Sequence, residues 1–318
     1  MSTQSQVSLF PEFSEKPLLP SPVNVASVPQ RSPFRYPGGK TWFVPTFRRW
    51  IASHPVKPRI LVEPFTGGGI TSLTALFEDL VERVVMAELD DAVAAVWQAV
   101  VDGDAAWLAD RVLHFQISRE AVLEELQQTP GTTRQQAFQT ILKNRTLHGG
   151  ILAEGASFIR HGENGKGIGS RWYPETLATR LLNLNQVAAR IDFRHGDGLQ
   201  VMEEFSQSSD ALYFIDPPYT AGGKRAGRRL YTHHLLDHDR LFTVCESLQG
   251  NFLITYDEAD AVKAMARRHN FQMRLIPMKN THHATMKELV IGRNLAWLDE
   301  LPAVRESIAD YRVEAQAT

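Results

Sequence analysis

Ala211-Leu212-Tyr213-Phe214-Ile215-Asp216-Pro217-Pro218-Tyr219 decides how this chain is read. Five apolar residues in a row, closed by prolines, suit a strand buried on both faces. Asp216 then stands just past the carboxyl end of that strand. In open parallel sheets ligands collect along that edge. An acid held there by two prolines is a candidate for chemistry, since the rigid backbone keeps its acceptors in place.

Working outward, Arg59-Ile60-Leu61-Val62-Glu63 and Arg83-Val84-Val85-Met86-Ala87-Glu88 read as two more buried strands. Helices are expected over about 70–80 and up to about 101, the second capped by Asp90 or Asp91. From 102 to 190 helical periodicity takes over, as at 121–126, at 137–147 and after Pro174, around a glycine-rich basic loop at 148–170. Alternation resumes with strands over 191–194, 251–256, 271–276 and 288–291 and helices over 237–248 and 258–268. Strands alternating with helices imply an α/β fold: a mostly parallel sheet with helices on both faces. The chain is expected to comprise a mobile tail (1–30), a catalytic domain (31–101 and 191–298), an inserted mainly helical domain (102–190) and a C-terminal extension (299–318).

Composition narrows the class. The 318 residues are 43% hydrophobic and 22% charged, enough to bury a core without any apolar run near the ~20 residues that span a bilayer. The single cysteine, Cys245, excludes an intrachain disulfide and a multi-thiolate zinc site. The simplest expectation for it is a small buried apolar group on a helix. The start of the chain lacks the basic and apolar regions of a secretory signal, so a cytoplasmic location is the default. Net charge is −2, but basic residues cluster in three places: Arg31 to Arg49, Lys143 to Arg171, and Lys224, Arg225, Arg228 and Arg229. Such clusters can grip phosphates even when the whole chain is near neutral.

Five segments carry candidate chemistry. In Asp216-Pro217-Pro218-Tyr219, the Asp216 carboxylate and the Pro217 carbonyl could accept both N–H bonds of an aromatic exocyclic amine. That would localise a lone pair otherwise delocalised into the ring. Tyr219 offers a face on which an unstacked base could lie. Glu63-Pro64-Phe65-Thr66-Gly67-Gly68-Gly69 makes a tight strand-to-helix turn. It lacks the spacing of a phosphate loop, and Glu63 would repel a pyrophosphate. An acid there suits a cation, such as the ammonium and sulfonium of S-adenosyl-L-methionine (AdoMet). Glu88 lies about twenty residues beyond the glycines, where an acid meets ribose hydroxyls in nucleotide-binding folds. Asp90 competes, but helix capping accounts for it more simply. Asp197, in His195-Gly196-Asp197, could accept an adenine amine, cap the helix that follows, or do both. Tyr36-Pro37-Gly38-Gly39-Lys40 resembles a loop with open amides before a helix, able to hold a carboxylate.

In this order the motifs resemble the Dam-like, or D12, class of DNA adenine-N6 methyltransferases. Tyr36-Pro37-Gly38-Gly39-Lys40 is similar to the family's opening motif, the Glu63–Gly69 loop to its cofactor loop, and Asp216-Pro217-Pro218-Tyr219 to its catalytic motif. Asn144-Arg145 with Gly149-Gly150, Leu230-Tyr231 with Asp237-His238 and Leu241, and Lys287-Glu288-Leu289-Val290-Ile291 also resemble family stretches. The resemblance spans about residues 33–294. It implies a Rossmann-like AdoMet-binding sheet, an inserted target-recognition domain and methyl transfer to N6 of an adenine flipped out of duplex DNA. It implies AdoMet as cofactor, without metal, and double-stranded DNA as partner, with a monomer sufficing. Tyr36, Gly38 and Lys40 would serve the methionine end. Glu63, Pro64, Phe65, Gly67 and Gly69 would cradle the cofactor, Glu88 would take the ribose and Asp197 the adenine, with Asp216 beside the transferred methyl. Lys143, Asn144, Arg145, Arg160, Lys166, Arg171, Lys224, Arg225, Arg228 and Arg229 would contact DNA. Thr146-Leu147-His148 departs from the family, which more often has an aromatic residue and an asparagine before the glycine. Two other readings use the same residues: an RNA or other-amine methyltransferase, and a DNA-binding regulator without turnover. A metal hydrolase is disfavoured, since His233-His234 and His282-His283 lack a ligand spacing with carboxylates.

Overall fold

The computed structural model describes residues 27–299 apart from 37, 154, 163–164, 219–235 and 280–284. Seven strands form one sheet: β1 (Ile60–Glu63), β2 (Arg83–Glu88), β3 (Ile191–His195), β4 (Ala211–Ile215), β5 (Asn251–Asp257), β6 (Gln272–Lys279) and β7 (Thr285–Gly292). Their order is β3-β2-β1-β4-β5-β7-β6. The first five named are mutually parallel, and β7 runs antiparallel to both β5 and β6. The chain therefore winds outward from β1 to β3, then crosses back to β4 beside β1. A crevice opens between those two strands at their carboxyl ends.

Alternation along each strand divides the core in two. Leu61, Leu212 and Phe214 face one apolar cluster, and Ile60, Val62, Tyr213 and Ile215 face the other. The first cluster is covered by α1 (Val44–Ala52), α2 (Ile70–Phe77) and α3 (Asp91–Val101). The helices between residues 102 and 190 join it: α4 (Ala105–His114), α5 (Arg119–Gln127), α6 (Thr133–Thr146) and α7 (Pro174–Leu184). α6 lies against α3 and α7 against α4. The second cluster is covered by α8 (Gly198–Glu204), α9 (His238–Ser247) and α10 (Asp260–Arg268). Both faces are thus covered, as the alternation of strands and helices requires. Cys245 sits buried on α9, where burial pushes its thiol up.

Local chemistry sets several boundaries. Asp90 caps α3 by accepting N–H bonds from Ala92 and Val93 at 2.9 and 3.1 Å. Asp197 caps α8 through Leu199 N–H at 2.9 Å, and Asp237 caps α9 through Arg240 N–H at 2.9 Å. Each such cap contributes about 1 kcal/mol. The expected helix 70–80 ends sooner, at Phe77, and Asp79 beyond it has a positive φ of 51°. The chain there leaves the right-handed region and cannot continue the helix.

Aromatic packing brings the N-terminal segment to the sheet. Phe43 and Phe47 are fully buried against Phe214 of β4, with ring centroids 5.7 and 5.5 Å apart. Burying each such side chain is worth roughly 1.5–3 kcal/mol. Lys40 opens the short 3-10 turn that ends at Phe43. The contact made by Phe43 therefore carries Lys40 to the end of β4, where Asp216 follows.

Candidate active site

The crevice between β1 and β4 opens into a pocket at the carboxyl rim. Its walls include Tyr36, Lys40, the loop 63–70, Glu88, Asp90, Asp197, Asp216 and Pro218, with Gly150, Leu152 and Ala153 at one side. Residues from well-separated stretches of chain are gathered there. Gly38 joins them through its carbonyl, which accepts a bond from Lys40 Nζ at 3.2 Å. Tyr219 lies outside the described residues, as do Lys224, Arg225, Arg228 and Arg229.

Asp216 is held by its neighbours. Its Oδ1 accepts from Thr255 Oγ1 on β5 at 2.8 Å and pairs with Lys40 Nζ at 2.8 Å. Lys40 is 5% exposed and also meets Glu288 Oε1 at 3.2 Å. Lys40, expected at the methionine end of a cofactor, thus turns its ammonium toward the carboxylate after β4. Sequence reasoning gives Thr255 and Glu288 no place in the site. They come from β5 and β7, and each is a polar residue in a mainly apolar strand, which is the one signal that could have found them.

The loop after β1 is shaped from within. Gly67 and Gly69 have φ of 46° and 62°, in the left-handed region that favours glycine. A Cβ on Gly67 would lie 2.6 Å from the Tyr36 ring, and one on Gly69 would lie 2.8 Å from Trp97. Trp97 Nε1 donates to the Gly67 carbonyl at 3.0 Å. The close approach these glycines permit is therefore to Tyr36 and Trp97. Gly39 N–H donates to the Tyr36 carbonyl at 3.1 Å, so that amide closes the turn rather than standing open for an anion.

Glu63 is 4% exposed. It accepts bonds from the Thr71 hydroxyl and from Ser72 N–H at 3.1 Å, at the N-terminus of α2. Burial pushes its carboxyl up to about 7 against those bonds, and the nearby charge of Asp216 adds to the rise. Glu88 accepts from Gly67, Leu89 and Asp90 N–H groups, each at 2.9 Å. It too is pushed up to about 7, first by burial. Both acids pin the loops of the pocket while facing it, and a bound cation would favour their charged forms.

A Glu63 that titrates near 7 when folded and near 4.5 otherwise stabilises the fold fully below about pH 4.5. That contribution is lost as pH rises to about 7 and amounts to about 3 kcal/mol at most. Glu63→Gln is therefore expected to flatten the fall in melting temperature between pH 5 and 8. Calorimetry across that range checks it, and an unchanged slope would remove Glu63 from the balance.

The residues expected to contact DNA divide by burial. Arg160 and Lys166 are exposed, and Lys143 and Arg171 are half-buried. Asn144 and Arg145 are 1% and 5% exposed, and the structure puts them to internal use. Asn144 Nδ2 donates to the carbonyls of Arg35 and Gly150 at 3.0 and 2.9 Å, while its Oδ1 accepts from Arg35 N–H at 2.8 Å. Arg145 donates to the Pro33 carbonyl at 2.5 Å. Burial, with Arg180 and Arg35 nearby, lowers its guanidinium to about 9. Together they bind α6 to the segment that precedes Lys40. A second cavity, walled by Arg35, Arg145, His148, Arg160, His161 and Arg171, adjoins the first, and Gly150 lines both.

The family described as D12 class N6 adenine-specific DNA methyltransferase matches residues 36–279, most of the chain. The chain belongs to the D12 class. No curated protein matches it in sequence. Among solved structures, the rRNA methyltransferase aviRa from Streptomyces viridochromogenes is similar at 15% identity with a TM-score of 0.38, covering 83% of this chain and 88% of that one. A methyltransferase from Geobacter sulfurreducens is similar at 14% identity and a TM-score of 0.33, covering 79% of each chain. The sheet order β3-β2-β1-β4-β5 of this D12 class methyltransferase is that of a Rossmann-like sheet. Among the described residues, no helix is long and apolar enough to cross a membrane.

Proposed function

We propose that this D12 class protein transfers a methyl group from AdoMet to N6 of an adenine flipped out of duplex DNA. The observation that carries this reading is Asp216, held at the end of β4 by Thr255 and Lys40 in a pocket rimmed by Glu63 and Glu88. The pocket suits AdoMet in charge and in shape. Glu63, Glu88 and Asp216 are acids able to face a cationic ammonium and sulfonium. Phe65, Ile70 and Val93 give apolar walls, and the half-buried Glu88 can still accept from ribose hydroxyls. Asp197, which also lines the pocket, would meet the adenine end while capping α8 and pairing with Arg240. When bound, AdoMet supplies an electrophilic methyl on a sulfonium whose sulfur keeps the electrons of the broken bond.

The chain's own contribution is to orient the amine. Asp216 and the Pro217 carbonyl accept its two N–H bonds and localise its lone pair. Proximity and fixed orientation then do much of the work. The methylated nitrogen sheds its extra proton to Asp216 or to water. Flipping the adenine costs a few kcal/mol. The basic cavity that shares Gly150 with the pocket supports a nucleic-acid substrate, because its Arg160 and Arg171 are groups of the kind that hold phosphates. Residues 102–190 would form the target-recognition part.

The test is sequencing that detects modified bases after unmethylated DNA is treated with the protein and AdoMet. N6-methyladenine in one recurring motif is the expected result. Cofactor binding without adenine modification, with methylation of structured RNA instead, would overturn the DNA substrate.

A further inference from the structure

Glu288 is a buried carboxylate to which neither the mechanism above nor the motif that contains it gives a task. It is 5% exposed and lies near the start of β7, opposite Asp257 of β5 and Ile276 of β6. Because β7 runs against the parallel strands, its beginning reaches the rim where they end. There Glu288 meets Lys40, whose ammonium has among its acceptors Asp216 Oδ1 at 2.8 Å, Glu288 Oε1 at 3.2 Å and the Gly38 carbonyl at 3.2 Å. Lys40 alone would neutralise Asp216. A second carboxylate is not needed for that, and burying it is costly.

We propose that Glu288 is a positioning residue that shares the charge of Lys40 and so keeps the cluster around Asp216 net negative. Two consequences follow for the reaction proposed above, on which this inference rests. Lys40 is held by Glu288 and Gly38, so Asp216 is fixed in direction. Asp216 also remains a strong acceptor, since only part of the ammonium's field falls on it. A negative cluster favours the positive charge that grows on the amine during methyl transfer. Among the described residues, the charged groups near Glu288 include Lys40, Asp216 and, on the neighbouring β5, Asp257, with Glu63 beyond Asp216.

The test uses Glu288→Gln and Glu288→Asp in the full chain. For Glu288→Gln, the single-turnover rate at saturating AdoMet and DNA is expected to fall roughly 10- to 100-fold, with both affinities within about twofold of wild type. Glu288→Asp should fall between the two, and Lys40→Met should add little to the loss in Glu288→Gln. A wild-type rate in Glu288→Gln overturns the proposal, as does a loss of AdoMet affinity matching the loss of rate. If Glu288→Gln does not fold, the rate and AdoMet affinity of Glu288→Asp decide: an intermediate loss of rate at wild-type affinity is expected, and a wild-type rate overturns the proposal. A wild-type protein that methylates structured RNA and no DNA would instead overturn the substrate reading, and the same rates measured on that RNA would still judge Glu288.

Discussion

Replacing Asp216 by Asn is expected to lower the rate of methyl transfer by about 1000-fold while leaving the fold and the cofactor affinity nearly intact. The substitution is close to isosteric. Thr255 Oγ1 can still donate to the amide oxygen, and Phe214, two residues earlier on β4, is untouched in its core. What is lost is a charged acceptor. The amide is a weaker partner for an amine N–H, and its NH2 group can face that amine as a donor. Lys40 would then be left with Glu288 as its charged partner. Because the loss falls on the transition state, it should appear in kcat at saturating substrate. Single-turnover transfer measured beside AdoMet titration calorimetry checks both halves. A rate within tenfold of wild type would remove Asp216 from the chemistry. An equal loss in cofactor affinity would make it a binding residue only.

The second large effect is expected at Gly198. A Cβ there would lie 2.0 Å from the Pro64 carbonyl oxygen and 2.8 Å from its carbon. Both are backbone atoms of the loop after β1, so no side chain can swing aside. Either α8 or that loop must move. Gly198→Ala is expected to destabilise the protein by about 2–4 kcal/mol, in the range of severe overpacking. AdoMet affinity should fall by roughly tenfold or more, because Pro64 and Phe65 line the pocket. A Cβ on Gly196, two residues earlier, would meet nothing within 4 Å, so that position serves as the control. Gly196→Ala should change stability by less than about 0.5 kcal/mol. Thermal melts and cofactor titration of the pair would decide the point. Equal behaviour of the two variants would mean that the loop yields without cost.

Much of the fold was legible because its signals are local. Apolar runs of four or five residues closed by proline or glycine marked β1 and β4, and capping acids marked the starts of α3 and α8. The helical stretch 102–190 was legible as a change of period. That its helices share one apolar cluster with β1 and β4 was not, because a helix's apolar stripe does not name what covers it. Asn144 and Arg145 illustrate the same limit. Polar residues in a basic stretch look alike whether they face solvent or, as here, bind the backbone of residues 33–35.

Which residues end the parallel strands, and so which acids and glycines stand at the rim, is written locally in the chain. Strand period and punctuation are properties of neighbouring residues, and the rim follows from them. Who partners whom at that rim is set by long-range packing. Lys40 reaches Asp216 through the packing of Phe43 on Phe214, contacts made by residues far apart in the chain. Glu288 reaches the same rim because β7 is antiparallel, which puts the start of that strand beside the ends of the others. Strand direction is set by pairing across the sheet, and no stretch of residues 285–292 taken alone carries it.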